Sequence, residues 1–207
     1  AWAGGTDHLV VVGDVLDRGS ESRKALDLIM RLQSEAAAAG GAVHLVLGNH
    51  ELMNLVGDLR YVSGGEYAAF AADETADMRA AAIELMPVPE GVDAQLARAQ
   101  LDEQIPQGFF AHREAFSPQG RYGAWLMQQP VLVAINDWAF VHGGLAESSR
   151  DLGAAELNRI LREQLRNYTI ALEGLIEHMQ AKGGVWFGTH EDAARWVREQ
   201  AGMPAMD

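Results

Sequence analysis

Residues 8–19, His-Leu-Val-Val-Val-Gly-Asp-Val-Leu-Asp-Arg-Gly, decide the fold prediction for this sequence. They begin with a short run rich in β-branched residues, which predicts a buried strand that ends at Gly13. Residues 20–38 place apolar side chains at helical spacing, and residues 42–47, Ala-Val-His-Leu-Val-Leu, predict a second buried strand. A strand, a helix and a strand in this order predict a βαβ unit, in which the two strands run parallel.

The rest of the chain continues this α/β pattern. Residues 66–115 are Ala-rich, charged and helical in period, and they predict a helical insertion or cap over about 64–120. Beyond it we expect two strands joined by a tight turn at Asn136-Asp137, a long helix, and a last helix opened by a capping box. We therefore expect one α/β domain over residues 1–207. The expected ranges of the late elements are 131–135, 138–141, about 154–180 and 189–200.

Composition narrows the functional classes. The formal net charge is −13, so the surface repels phosphate backbones and nucleic-acid binding is not expected. The chain has no cysteine, which excludes disulfides, thiol catalysis and cysteine-bound zinc. It has no apolar run of about 18 residues, so no membrane span is expected. An anionic phosphate substrate would need a locally positive site, which bound metal ions would supply.

Metal-type side chains follow three of the predicted strand ends. Asp14 and Asn49 follow the two strands of the βαβ unit, and His142 ends a later strand. Because ligands of open α/β sheets bind at the carboxyl ends of strands, we expect these side chains to converge. A carboxylate, an amide oxygen and an imidazole together suit Mn, Fe or Zn better than Ca. A carboxylate can bridge two such ions, which lie about 3.5–4 Å apart in two-metal sites and lower the pKa of a shared water.

The neighbours of these ligands predict an acid catalyst and a phosphate contact. His50 follows Asn49 directly, so a protonated imidazole there can donate to a leaving alkoxide or phenoxide. Asp17 is the carboxylate expected to orient His50 and raise its pKa. Arg18 supplies a planar fork that suits two phosphate oxygens.

Each of these residues also has a purely structural interpretation. Asp14 and Asp17 are of the type that commonly follows strands in turns. His50 would also fit as an ordinary residue at a helix start, and His142 as a core histidine with satisfied hydrogen bonds. Arg60, which lies in a loop near His50, either contacts the substrate or forms a local ion pair.

Three short motifs follow the predicted strands. They are Gly13-Asp14-Val15-Leu16-Asp17-Arg18-Gly19, Gly48-Asn49-His50-Glu51 and His142-Gly143-Gly144. The first of them appears by chance in a chain of this length about once in ten thousand. Together they resemble the motifs of the phosphoprotein phosphatase group of calcineurin-like metallophosphoesterases, whose α/β fold is a layered β-sandwich flanked by helices. Residues 48–62 and 123–126 are most similar to the branch known as Shewanella-like protein phosphatases.

The resemblance implies a function and residue roles. The implied reaction is hydrolysis of a phosphate monoester on Ser, Thr or Tyr of a phosphoprotein, by direct attack of a metal-bound hydroxide and without a phosphoenzyme. The same motifs occur in dinucleoside-tetraphosphate hydrolases, which are the alternative within enzymes. The implied roles are Asp14 as the ligand that bridges two divalent ions, Asn49 and His142 as ligands of the second ion, His50 as general acid, Asp17 as its partner, and Arg18 as a phosphate contact.

The sequence departs from the family pattern in three places. No Gly-Asp-x-His-Gly motif precedes residue 8, no late strand ends in a ligand histidine, and Gly188 stands where the family tends to have Arg. We therefore expect truncation at both ends, with at most one well-ligated metal site in this chain and a compartment, cytoplasmic or periplasmic, left open. A degenerate, non-catalytic metal-binding or interaction domain is the rival interpretation.

Overall fold

The computed structural model describes residues 1–88 and 91–182, with side chains as far as residue 171. These residues combine helices with short strands, which confirms the predicted α/β class. No helix in this part of the chain is long and apolar enough to cross a membrane. The last predicted helix, over 189–200, lies outside the described residues. The elements are β1 (His8–Val11), α1 (Ser22–Ala38), β2 (Ala42–Leu45), α2 (Asn49–Val56), α3 (Gly64–Ala68), α4 (Ala76–Leu85), α5 (Ala94–Gln104), α6 (Phe109–Ala115), α7 (Arg121–Leu126), β3 (Leu132–Ile135), β4 (Trp138–Val141) and α8 (Ala154–Lys182).

Strands β1 and β2 run parallel, with Val10 beside His44, and form the predicted βαβ unit with α1. The prediction of a buried strand is correct for β2, whose Val43 and Leu45 are buried. It is wrong for β1, where the side chain of Leu9 is 43% exposed. Within the described residues β1 pairs only with β2, so it is an edge strand, and its first two residues, His8 and Leu9, are not covered by another element.

Strands β3 and β4 form an antiparallel hairpin beside the βαβ unit. The predicted tight turn joins them, and its first residue, Asn136, has φ +54°, a conformation that Asn tolerates better than most residues. The backbone N–H of Leu47 donates to the carbonyl of Pro130 at 2.8 Å, which places the end of β2 next to the start of β3. Asn158 of α8 binds both backbone groups of Leu132, at 3.1 and 2.8 Å, so α8 is attached to the same edge.

Helices α3 to α7 pack against one another over the region 64–120 and slightly beyond it, and side-chain contacts attach this region to α1. An ion pair joins Arg23 to Asp73 at 2.6 Å, and the hydroxyl of Tyr122 donates to Asp27 at 2.9 Å. Aromatic rings fill the space between these helices with edge and tilted contacts. The description of this region as an insertion or cap stays a prediction. The rings in contact are Tyr67, Phe70, His112, Phe116 and Tyr122.

Candidate active site

Two glycines let the loops that follow β1 and β2 touch. Gly13 has φ +79°, and a Cβ atom there would lie 2.6 Å from the backbone nitrogen of Gly48. A Cβ atom on Gly48 would collide with Oδ1 of Asp14. Non-bonded contacts this short are essentially never found for a Cβ atom, so any larger residue would push the loops apart. The two strand ends can therefore come together, as predicted, because glycine has no side chain at either position.

A buried carboxylate, that of Glu51, holds the two loops together. Its Oε1 accepts the backbone N–H groups of Val15 and Leu16 at 2.8 and 3.2 Å. Its Oε2 accepts those of Asp14 and Gly48 at 2.9 and 2.8 Å. The side chain is fully buried, so its charge is compensated by backbone dipoles rather than by water.

Sequence reasoning gave Glu51 no role of its own, although the residue belongs to a quoted motif. A signal was present, because a Glu at the third position of a helix typically accepts the N–H of the residue before the helix. Glu51 does so for Gly48 at the start of α2. The three hydrogen bonds that Glu51 accepts from the loop after β1 depend on tertiary structure, so no local sequence pattern predicts them.

The loop after β1 has an unusual backbone. Three of its residues other than glycine have positive φ: Asp14 at +53°, Asp17 at +69° and Arg18 at +60°. Conformations of this kind are costly for residues with a Cβ atom and persist where surrounding contacts determine them. The strain therefore coincides with the residues to which the sequence assigns chemistry.

Asp17 and His50 form a buried pair. Oδ2 of Asp17 lies 2.7 Å from Nδ1 of His50, and both side chains are only 2% exposed. Oδ1 of Asp17 accepts a bond from the side-chain amide of Asn54 at 3.1 Å, so both carboxylate oxygens are held. Because Nδ1 is occupied, Nε2 is the nitrogen of His50 that is left for a reacting group. Asn54 was not predicted, and only its position one helical turn after His50 hinted at this contact.

Asp14 and His142 form a second, more accessible pair. Oδ2 of Asp14 lies 3.2 Å from Nε2 of His142, and the two side chains are 33% and 27% exposed. Nδ1 of His142 lies 2.6 Å from the carbonyl oxygen of Val12, which can only accept, so Nδ1 carries the proton. In the neutral ring Nε2 is then a lone pair that faces a carboxylate oxygen. Two acceptors at this distance need a cation or a proton between them, and metal-binding histidines are typically fixed through the other nitrogen in this way.

The third predicted ligand, Asn49, begins α2 next to this pair. The N–H of the following residue, His50, donates to Oδ1 of Asp14 at 3.3 Å, so the start of α2 is attached to the same carboxylate. Within the described residues, no three or more His, Asp or Glu side chains gather as a metal cluster. The described chain thus offers a cation one carboxylate and one imidazole, an oxygen and nitrogen ligand set. The side-chain amide nitrogen of Asn49 lies 3.9 Å from Sδ of Met53, and its role as a ligand stays a prediction.

The two arginines near the site, Arg18 and Arg60, make different contacts. The guanidinium of Arg18 lies 5.3 Å from the ring centroid of Tyr61, and the same ring meets His50 edge-on at 5.1 Å. Arg60 donates from Nε and Nη2 to the two oxygens of Asp58, at 2.8 and 2.6 Å. These hydrogen bonds lower the pKa of Asp58 and raise the pKa of Arg60. The local ion pair expected as one interpretation of Arg60 is therefore present, and its contact with substrate stays a prediction.

The chain belongs to the calcineurin-like phosphoesterase family, whose sequence profile matches residues 3–198. Members of this family generally use two divalent metal ions. Membership confirms both the resemblance drawn from the motifs and the α/β metallophosphoesterase fold. Gly188, at the third departure from the family pattern, lies outside the described residues.

Individual proteins to which this chain is similar are named as protein phosphatases. The chain is 32% identical over 176 residues to Shewanella-like protein phosphatase 2 of Arabidopsis thaliana, covering 81% of this chain and 44% of that protein. It is 26% identical over 187 residues to Shewanella-like protein phosphatase 1 of Plasmodium berghei, covering 89% and 42%. A solved cold-active protein tyrosine phosphatase superposes with TM-score 0.54 and 29% identity, over 79% of this chain and 39% of that chain. The chain thus spans less than half the length of the curated relatives it matches.

Proposed function

We propose that the protein is a metal-dependent phosphate monoester hydrolase that acts on phosphoproteins, including those with phosphotyrosine. One observation carries this proposal. The Asp14–His142 pair and the Asp17–His50 pair are joined at Asp14, whose Oδ1 accepts the backbone N–H of His50 at 3.3 Å while its Oδ2 faces His142. The proposal assigns cation binding to the first pair and acid catalysis to the second, and their contact through Asp14 supports these two assignments. The relatives named as protein phosphatases support a phosphoprotein as the substrate.

The residues expected to hold a divalent ion of the Mn, Fe or Zn type are Asp14, Asn49 and His142. Divalent ions held there would bind the phosphate and lower the pKa of a shared water. The rest of the reaction rests on the chain's own side chains. A chain with a formal net charge of −13 repels an anionic substrate, so the positive charge of the site must be local.

His50 serves as the general acid. Its Nδ1 is held by Asp17, so Nε2 donates a proton to the oxygen of the leaving alcohol or phenol. Asp17 stabilises the imidazolium form, and Asn54 keeps the carboxylate from rotating away. Arg18, stacked on Tyr61, is the cation that binds phosphate oxygens.

Phosphatase assays on the intact protein with Mn²⁺ test this proposal. The substrates are a phosphotyrosine peptide, a phosphoserine peptide and diadenosine tetraphosphate. We expect hydrolysis of the peptides, and we expect His50→Ala to lower kcat by about 10²–10⁴-fold while metal content stays unchanged. Asp14→Asn should lose metal and activity together. His8→Ala is the matched control, because His8 is an exposed histidine on β1 whose ring contacts His44 alone among the described rings.

The outcomes separate the alternatives. A preference for the tetraphosphate would move the protein to the dinucleoside-tetraphosphate hydrolases. Loss of metal in His50→Ala would make His50 a ligand and remove its role as acid. If the intact protein binds metal but hydrolyses none of the three substrates, the degenerate, non-catalytic interpretation is correct.

A further inference from the structure

The turn that carries Asp17 and Arg18 is held from outside by a second segment. Asp17 and Arg18 both have positive φ, and such conformations cost about 1–3 kcal/mol each unless surrounding contacts determine them. The side chain of Asp17 is fixed by His50 and Asn54. Those contacts fix the carboxylate of Asp17. The backbone from Arg18 onwards is held by other groups.

Those groups lie at the start of α3 and in the loop before it. The backbone N–H of Arg18 donates to the carbonyl of Tyr61 at 3.2 Å. One residue further along, the hydroxyl of Ser63 donates to the carbonyl of Gly19. The two segments therefore run side by side, and their contacts advance together along both.

Two more contacts extend this pairing to α1. Gly65 packs so closely on Ser20 that a Cβ atom at Gly65 would lie 2.6 Å from the Cβ atom of Ser20. Oε1 of Glu66 accepts the backbone N–H and the hydroxyl of Ser22, at 3.3 and 2.5 Å. Glu66 is buried, and it supplies the first turn of α1 with a cap that α1's own preceding residue does not make.

We propose that Tyr61, Ser63, Gly65 and Glu66, here called the clamp, are positioning residues for the reaction. They hold Asp17 and Arg18 in the strained turn that aims one at His50 and the other at the phosphate. This inference rests on the proposed function. Ser63, Gly65 and Glu66 act on the reaction only through the turn. Tyr61 also contacts Arg18 and His50 with its ring.

Gly65 offers a test in which one added methyl group disturbs only the turn. In Gly65→Ala the new Cβ atom must move from 2.6 Å to at least an ordinary contact of 3.4 Å, a shift of about 1 Å. Ser20 cannot absorb this shift alone, because Gly19 and Ser22 on either side of it are bound to the clamp. The displacement therefore reaches Arg18. A misplacement of this size can cost about 10²-fold in rate, and we expect kcat to fall about 10–100-fold.

Matched variants isolate the contact. Gly64→Ala adds the same methyl group one residue earlier in α3, where nothing lies within 4 Å, and it should retain wild-type kcat. Adding Ser20→Gly to Gly65→Ala removes the clashing Cβ atom and leaves the Cα atom of residue 20 at 3.7 Å, so activity should return. All variants are assayed with a phosphotyrosine peptide at a temperature where circular dichroism shows them folded, and metal content is measured in each.

Amide hydrogen exchange gives a readout that needs no catalysis. The N–H of Arg18 should exchange about tenfold faster in Gly65→Ala and return to the wild-type rate in the double variant. If Gly65→Ala does not fold, Ser63→Ala removes the bond to Gly19, together with the bond that Ser63 accepts from the N–H of Glu66, without adding an atom, and the same changes are expected. An unchanged kcat and Arg18 exchange in a folded Gly65→Ala, or no rescue by Ser20→Gly, overturns the inference. If the wild-type protein hydrolyses no phosphate substrate, the proposed function fails, while the exchange data still decide whether the clamp holds the turn.

Discussion

Replacing Glu51 by Gln should lower the free energy of unfolding by about 3–6 kcal/mol, because this side chain joins both loops of the site. Oε1 accepts two backbone N–H groups, from Val15 and Leu16, and Oε2 accepts two others, from Asp14 and Gly48. In Gln one of these oxygens becomes an NH₂ donor, which faces two N–H donors whichever way the amide is turned. A hydrogen bond to a charged group contributes about 1.5–3 kcal/mol, and two of them are lost.

Urea denaturation of the intact protein measures this difference. Glu103→Gln is the matched control, since Glu103 is exposed on α5 and its replacement should change the free energy by less than about 0.5 kcal/mol. A domain has a total stability of about 5–15 kcal/mol, so the Glu51 variant should unfold at a much lower urea concentration. A loss below about 1 kcal/mol would refute the reasoning, because the four backbone donors would then be satisfied without the charge.

Three further predictions address the neighbouring residues. Asp17→Asn should lower kcat by about 10²–10⁴-fold at unchanged metal content, because an amide does not stabilise the imidazolium form of His50. Gly48→Ala should weaken Mn²⁺ binding in calorimetry, because its Cβ atom would clash with the carboxylate of Asp14, which we propose as a metal ligand. His112 gives the protein a pH dependence. Burial among aromatic rings and the nearby charge of Arg113 lower its pKa from 6.5 to about 4. The unfolded chain therefore binds the proton more readily, and stability that is complete above about pH 6.5 falls by about 3 kcal/mol as the pH drops to about 4.

Each of these predictions has a control variant or an outcome that would contradict it. Gly153→Ala adds a methyl group in open space and should leave Mn²⁺ binding unchanged. In His112→Phe the unfolding free energy should lose this part of its slope between about pH 6.5 and 4, and an unchanged slope would exclude His112 as the source. Loss of bound metal from Asp17→Asn would contradict the assignment of Asp17 as the partner of His50.

The sequence predicted best what depends on short segments. A β-branched run followed by glycine gave β1 and β2, and their parallel pairing followed from the helix between them. The hairpin of β3 and β4 followed from Asn136 at the turn. Each of these elements depends on residues that are close together in the sequence, so it can be predicted from one sequence alone.

The pairing of Asp17 with His50 was expected from the sequence, but other features that depend on distant partners were missed. The exposure of Leu9 was missed, because apolar content specifies a strand and says nothing of what packs against it. The clamp was missed for a similar reason, since Ser63 and Glu66 form an unremarkable helix start in sequence and acquire a role only against the turn at Gly19 and Ser22. Arg60 illustrates the limit, because its ion pair with a near neighbour was one of two interpretations that the sequence left open.

Three carboxylates show how surroundings, rather than residue type, divide the work of this site. Glu51 faces only backbone N–H donors, so its charge is satisfied within the protein and it holds the two loops together. Asp17 faces His50 and Asn54, both donors, so it is suited to orient an imidazolium. Asp14 differs from both, because one of its oxygens faces Nε2 of His142, whose other nitrogen already holds the proton. Of the three carboxylates it is therefore the one whose contact needs a cation or a proton, and this geometry supports the proposal of Asp14 as a metal ligand independently of the motif.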